Sequence, residues 1–245
     1  MSMNGDAGER IAALIGALEK AAGEVELMEG MEPLSQLVYS FCRYGVTEPE
    51  ADAAYDGLLD GMVDLNELRV SDTAEIAAVL GKGYGDASDR AARLKDALNG
   101  VYASEHGMTL ERLTKIGKRE AKAYLEGLDG VLPYVSASVM VLSLGAHAVA
   151  VDDRLLGRLI EDGVLDEGTD VPGAQSVLER NIKADDSLRA HTLLTQFAEG
   201  VLSVSLGGLI PKKRKKVAKK VTEKKVTKKK VAKKKTSKKT TKSKG

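Results

Sequence analysis

Apolar residues recur along the first 210 positions with the period of a helix rather than that of a strand. Ile11, Leu14, Ile15 and Leu18 fall at i, i+3, i+4 and i+7, which gives the opening segment a single apolar face. The same pattern, broken by Gly- and Pro-marked turns, predicts helices over 34–44, 48–59, 64–69, 73–80, 87–104, 110–126, 135–144, 153–162, 173–182 and 187–202. Local chemistry supports several of the starts. Asp72 with Glu75 has the spacing of a capping box, Thr109 precedes an amphipathic run, and Pro172 sits where a first-turn proline is tolerated. No period-2 alternation is long enough to argue for a sheet, so the expected fold class is all-α.

Composition refines this picture. Aromatic residues are only 4% and Trp is absent, so the core must be built from Leu, Val, Ala, Ile and Met. The single cysteine, Cys42, excludes an intramolecular disulfide and a cysteine-based cluster, and it reads more readily as a small buried apolar residue than as a nucleophile. The apolar stretch 135–151 contains His147 and is too short and too rich in Ala and Ser for a membrane span. The start MSMNGDAGER lacks the basic and apolar regions of a signal peptide. The expectation is a soluble, cytoplasmic protein.

The formal net charge of +1 conceals two materials. Residues 211–245 carry 18 Lys, one Arg and one Glu, or +18, while the preceding residues carry 18 basic and 35 acidic side chains, or −17. We therefore expect an acidic helical body over 1–206 and a basic tail over 211–245. The tail has too little apolar surface to offset the entropy of ordering, so it is expected to be disordered when free. Its composition resembles the lysine-rich tails of bacterial linker-histone-like proteins. Dense cations such as Lys212, Lys213, Arg214, Lys215 and Lys216 neutralise phosphates and release counterions, which predicts sequence-independent binding to double-stranded DNA and a nucleoid association. A merely solubilising tail is the alternative. The tail has no aromatic residues, which disfavours stacking on single strands.

The most informative stretch is LEGLDGVLPYVSASVMVLSLGAHAVAVDDRLLGRL, residues 125–159. A helix ends near Glu126, a short hairpin follows over 128–133, and an apolar helix leads through Gly145 to Val151-Asp152. Here the sequence resembles the helix-hairpin-helix superfamily of DNA glycosylases, of the endonuclease III type. LDGVLPYVSA lies on that family's hairpin pattern LPGVGxxTA, and AVDDRLLGRL lies without a gap on the segment AVDTHxxRV that carries the essential aspartate. Weaker similarity extends to the early apolar helix LVYSFCRYGV and to VLGKGYGDASDRAARLKDAL.

The resemblance implies a two-lobed helical fold and a chemistry. The family's aspartate corresponds to Asp152, whose carboxylate would stabilise the cationic sugar, or orient water, as the N-glycosidic bond of an extruded base breaks. An N-cap at the start of a helix is the competing reading of Asp152, and Asp153 competes for the same place. Tyr134 stands where bifunctional members carry a Schiff-base lysine, which implies a monofunctional enzyme without lyase chemistry; alternatively it is a helix-start residue packing its ring. Gly130, Val131 and the neighbouring Leu132 would form the backbone phosphate clamp, although Leu132 replaces the second hairpin glycine. Arg154 replaces the usual histidine and would pair with a phosphate, and the polar intercalating residue falls near Arg43 or Tyr44. The four iron–sulfur cysteines found in many members are absent, so no cofactor is expected.

Other residues of catalytic type do not assemble. His106, His147 and His191 lack the close spacing of a metal site, and His147 reads as a capped or core histidine. GKGYGDAS lacks the ending of a phosphate loop and reads as a helix connection, and Glu48, Glu50, Asp52 and Asp56 read as a solvated helix face. Two functional readings follow: a monofunctional, monomeric DNA N-glycosylase tethered by its tail, or a noncatalytic nucleoid-associated or damage-binding protein that keeps the fold.

Overall fold

The computed structural model describes residues 4–204 apart from 62 and 82. The tail cations Lys212, Lys213, Arg214, Lys215 and Lys216, and the body boundary at 206, lie outside the described residues. Within them the chain forms α1 (Asn4–Ala22), α2 (Pro33–Arg43), α3 (Glu48–Asp60), α4 (Leu65–Val70), α5 (Thr73–Leu80), α6 (Ala87–Glu105), α7 (Lys118–Glu126), α8 (Pro133–Ser138), α9 (Asp153–Glu161), α10 (Val171–Asn181) and α11 (Ser187–Ala198), and no strand.

Local rules set most of these boundaries. Asp72 accepts from the Ala74 N–H at 2.8 Å while Glu75 accepts from the Asp72 N–H at 3.2 Å, and α5 begins there. The carboxylate of Glu50 takes the Thr47 N–H at 2.9 Å, and Asp52 accepts from the Tyr39 hydroxyl at 2.8 Å, so the acidic face of α3 is partly structural.

Three predicted segments differ. Residues 110–126 are not one helix: a 3₁₀ turn, Glu111–Thr114, precedes a break at Gly117, and α7 starts at Lys118. The Thr109 hydroxyl accepts from the Glu111 N–H at 3.2 Å, and the Thr114 hydroxyl donates to the Glu111 carbonyl at 2.8 Å, side-chain bonds that compete with a continuous α ladder. Residues 135–144 begin earlier, at Pro133, and widen into a π turn over Val139–Ser143, in a Val- and Ser-rich stretch of weak α preference. The last helix stops at Ala198 rather than 202, because Gly200 adopts φ +76° and the Leu202 N–H bonds back to the Gln196 carbonyl at 3.1 Å.

The helices bury two cores. α2 to α8 surround Leu37, Phe41, Leu58, Leu94 and Leu98, with Cys42 fully buried among them. Burial pushes the Cys42 thiol up to about 12, which suits packing and not nucleophilic use. α1 packs instead with α10 and α11, which also hold α9, so that Ile11, Leu14 and Leu18 share one core with Leu155, Leu159, Leu178 and Phe197. The fold is thus two-lobed: the start of the described chain joins its end, and segments 23–32 and 144–152 connect the lobes. No described helix is long and apolar enough to cross a membrane.

His191, on α11, is 3% exposed, and burial, aided by the Arg43 charge, lowers its pKa to about 4. Its folded value lies below the unfolded one, so the unfolded chain binds the extra proton first as pH falls below about 6.5. Stability is therefore expected to fall by up to about 1.4 kcal/mol per pH unit from pH 6.5 towards 4 from this residue alone. Urea midpoints for His191→Leu should lose that part of the slope; an unchanged slope would mean that other groups cause it.

Candidate active site between the lobes

The site is assembled around the turn joining α2 to α3. Three carbonyls at the end of α2 are held by side chains from elsewhere: Arg90, on α6, donates to Phe41 at 2.5 Å and Tyr44 at 2.8 Å, and the Tyr84 hydroxyl donates to Cys42 at 2.8 Å. The glycine-rich connection read from GKGYGDAS is indeed a helix connection, and its Tyr84 serves as an anchor. These contacts satisfy orphan carbonyls of α2 and fix the direction of the turn Tyr44-Gly45-Val46.

Charged residues of the second lobe grip that turn. Asp152 has extended backbone and caps α9: one carboxylate oxygen accepts from the Leu155 N–H at 2.9 Å and the other from the Gly45 N–H at 3.2 Å. It is only 6% exposed. The neighbouring Asp153 is exposed and meets the Tyr44 hydroxyl at 3.4 Å, so Asp152 is the inward-facing member of the pair. Arg154 is half-buried and donates to the Val46 carbonyl. Glu199, just beyond α11, accepts from the Glu48 N–H at 2.9 Å and pairs with Arg43.

Arg43 is buried, donates to the Val46 carbonyl as well as to Glu199, and leaves its Nε without a partner. This placement excludes it as an exposed intercalating residue in this conformation. Tyr44 is half-buried, with its ring centroid 5.4 Å from that of Tyr134. Tyr134 is itself buried rather than presenting its hydroxyl at the surface, and burial raises its phenol to about 12, with Asp152 pushing it further up and Arg43 opposing. At neutral pH it is therefore a neutral phenol.

Arg43, Tyr134, Asp152, Arg154, Thr195 and Glu199 line a cavity of about 20 Å³. That is room for about one water molecule, whereas small-molecule pockets run to roughly 300–1,000 Å³. The structure brings Asp152, Tyr134 and Arg154 together. Gly130 and Leu132 belong to the adjoining hairpin, where the Val131 N–H returns to the Leu128 carbonyl at 3.3 Å and Gly130 adopts φ +81°. A Cβ at Gly130 would lie 2.3 Å from the Arg93 carbonyl oxygen, so this glycine lets the hairpin press on α6. Leu132 caps α8 ahead of Pro133, which has no N–H to offer a phosphate.

Sequence reasoning missed Glu199 and Thr195, which stand far from the motif. A signal did exist for the ion pair: Arg43 is the one charged residue on the otherwise uncharged helix PLSQLVYSFCR, which predicts a buried partner. His147 is exposed on a loop instead of at a helix end. Its Nε2 donates to the Glu179 carbonyl at 2.7 Å, and its Nδ1 is hydrogen-bonded to the Ser187 hydroxyl at 2.5 Å. Among the described residues no group of three or more His, Cys, Asp or Glu could hold a metal ion.

Solved structures place this arrangement in context. Endonuclease III trapped with DNA as a covalent intermediate matches with a TM-score of 0.61 and 16% identity, over 78% of this chain and 85% of that one. The Clostridium acetobutylicum 8-oxoguanine glycosylase/lyase in complex with double-stranded DNA gives a TM-score of 0.62 and 14% identity, over 82% of this chain and 71% of that one. The 3-methyladenine DNA glycosylase of H. pylori bound to 1,N6-ethenoadenine gives 0.60 and 14%, over 81% of this chain and all of that one (100%). The chain has the helix-hairpin-helix DNA glycosylase fold. No family model and no curated protein matches the sequence. In this glycosylase fold Asp152 faces the junction of the two lobes, whereas the hairpin with Gly130 packs on α6 of the first lobe.

Breaking the buried pair by Glu199→Gln should destabilise the protein by about 3–5 kcal/mol, because the Arg43 charge stays buried. Replacing both, Arg43→Met with Glu199→Leu, should recover most of that loss. Thermal unfolding of the two variants is the check, and equal losses in both would show that the pair is not the cause.

Proposed function

We propose that the protein is a monofunctional DNA N-glycosylase of the base-excision type, which extrudes a damaged or mismatched base and hydrolyses its N-glycosidic bond. The observation that carries this reading is Asp152. In a fold shared with DNA glycosylases, its carboxylate lies at the N-terminus of α9, against the buried Tyr134 and facing the junction of the lobes. A carboxylate in this position is suited to stabilise a cationic sugar or to orient water. Tyr134 in place of an amine cannot form an imine, which favours hydrolysis without lyase chemistry. In a site closed to about 20 Å³, entry of a base requires the second lobe to release the Tyr44-Gly45-Val46 turn.

A second reading, a noncatalytic damage-binding or nucleoid-associated protein, is favoured by that small cavity and by the engagement of both Asp152 oxygens with backbone N–H groups. Asp152→Asn separates the two. Asn also caps helices, so the variant should fold, with a loss of about 1–2 kcal/mol for one poorly paired N–H. The expected result is base release from a panel of damaged duplexes by the wild type and a loss of about 100-fold or more in the variant. No release by the wild type would favour the noncatalytic reading, and release that survives the substitution would remove Asp152 from the mechanism. Borohydride should trap no covalent adduct.

The tail is the proposed nonspecific tether to double-stranded DNA. A chain ending at Ile210 should lose most of its nonspecific affinity and most of the dependence of log K on log salt. Equal slopes in the two chains would leave the tail without this role.

A further inference from the structure

A second recess, of about 240 Å³, opens on the first lobe beside the hairpin and shares no lining residue with the Asp152 cavity. Its walls come from Tyr44, the hairpin residue Leu132, and Asp89, Arg90 and Arg93 of α6. Each wall has a distinct physical state. Arg90 is saturated: beyond its two carbonyls it binds Asp86 through Nε at 3.3 Å and Nη2 at 3.0 Å, so it is a fixed charge. Its guanidinium carbon lies 5.6 Å from the Tyr44 ring centroid, and Tyr134 supports the same ring, so the ring of Tyr44 is held in place.

Arg93 differs from Arg90. It is exposed and no described residue bonds or pairs with it, yet its backbone is pinned, since a Cβ on Gly130 would come within 2.9 Å of its Cα. An unpaired cation therefore extends from a fixed backbone position beside the hairpin. Asp89 is likewise exposed and without a partner among the described residues, offering a free acceptor on the same helix. The recess thus combines an aromatic ring, an apolar wall, one free cation and one free carboxylate. Inorganic phosphate would use only the cation. An apolar ligand would leave both free charges unused.

We propose that this recess binds one nucleotide unit of a DNA strand, with the base against Tyr44 and Leu132 and the phosphate on Arg93. Asp89 accepts from exocyclic amino groups, so cytosine and adenine are preferred to thymine. Leu132, where the family pattern has glycine, is then a wall of the site. The inference rests on the reading that the body meets DNA, and it does not require Asp152 to be catalytic. It gives an acidic body a local means of engaging a strand.

Ligand-observed NMR on the full chain, with dCMP and dTMP at about 0.2 M salt to weaken attraction to the tail, tests it. dCMP should bind more tightly than dTMP. Arg93→Gln and Tyr44→Leu should each weaken dCMP by about fivefold or more, and Asp89→Asn should narrow the gap between the two nucleotides. Arg119→Gln, which removes an exposed cation of α7, should change nothing. The proposal is overturned if dCMP does not bind, if Arg93→Gln binds as the wild type does, or if Arg119→Gln loses as much. Nucleotide binding without base release would support the recess and refute the enzymatic reading; base release with no nucleotide binding would do the reverse.

Discussion

The turn between α2 and α3 holds the two lobes in their arrangement, because its backbone is where the charges of the second lobe are satisfied. Asp152 takes the Gly45 N–H, Arg154 and Arg43 share the Val46 carbonyl, and Glu199 takes the Glu48 N–H while pairing with Arg43. All but the Arg43–Val46 contact cross between the lobes, and each gives a group costly to bury alone a polar partner. The turn is rigid enough for this role because Arg90 and Tyr84 tie down the carbonyls that precede it. α6 and the glycine-rich connection thereby support the candidate active site without touching Asp152.

The contacts that position Asp152 also close the space in front of it. A carboxylate held by two N–H groups is well oriented, but a cavity of about 20 Å³ admits no base. Orientation of the carboxylate and closure of the cavity therefore depend on the same bonds, and the two functional readings differ in whether DNA binding supplies enough free energy to separate them. The unpaired Nε of Arg43 at the edge of this cavity marks where the closed arrangement is least satisfied.

Charge distribution sets how such a body meets a polyanion. A net −17 repels a duplex at long range, so attraction must come from the +18 tail or from cations placed locally. Most described cations of the body are spent on internal partners: Arg43 on Glu199, Arg90 on Asp86 and Arg112 on Glu105. Arg93, by contrast, is exposed beside the hairpin and has no partner among the described residues.

What the sequence determined was local. Apolar periodicity and caps defined the helices, with α5 read correctly at both ends; the hairpin, apolar helix and Val151-Asp152 carried the resemblance that pointed to the fold, and left the N-cap as one of two readings of Asp152. Even the local reading failed where side-chain hydroxyls and Gly117 competed with the helix, between Thr109 and Lys118. Only tertiary structure decided what those residues face. Arg43 and Glu199 lie 156 positions apart, Gly45 and Asp152 lie 107 apart, and α1 belongs to the lobe built by the chain's later helices. Helical periodicity and capping act within a few residues and can be read along the chain, whereas burial of a charge fixes only that a partner must exist. Which partner, and how much space remains beside it, follows from the packing of the lobes.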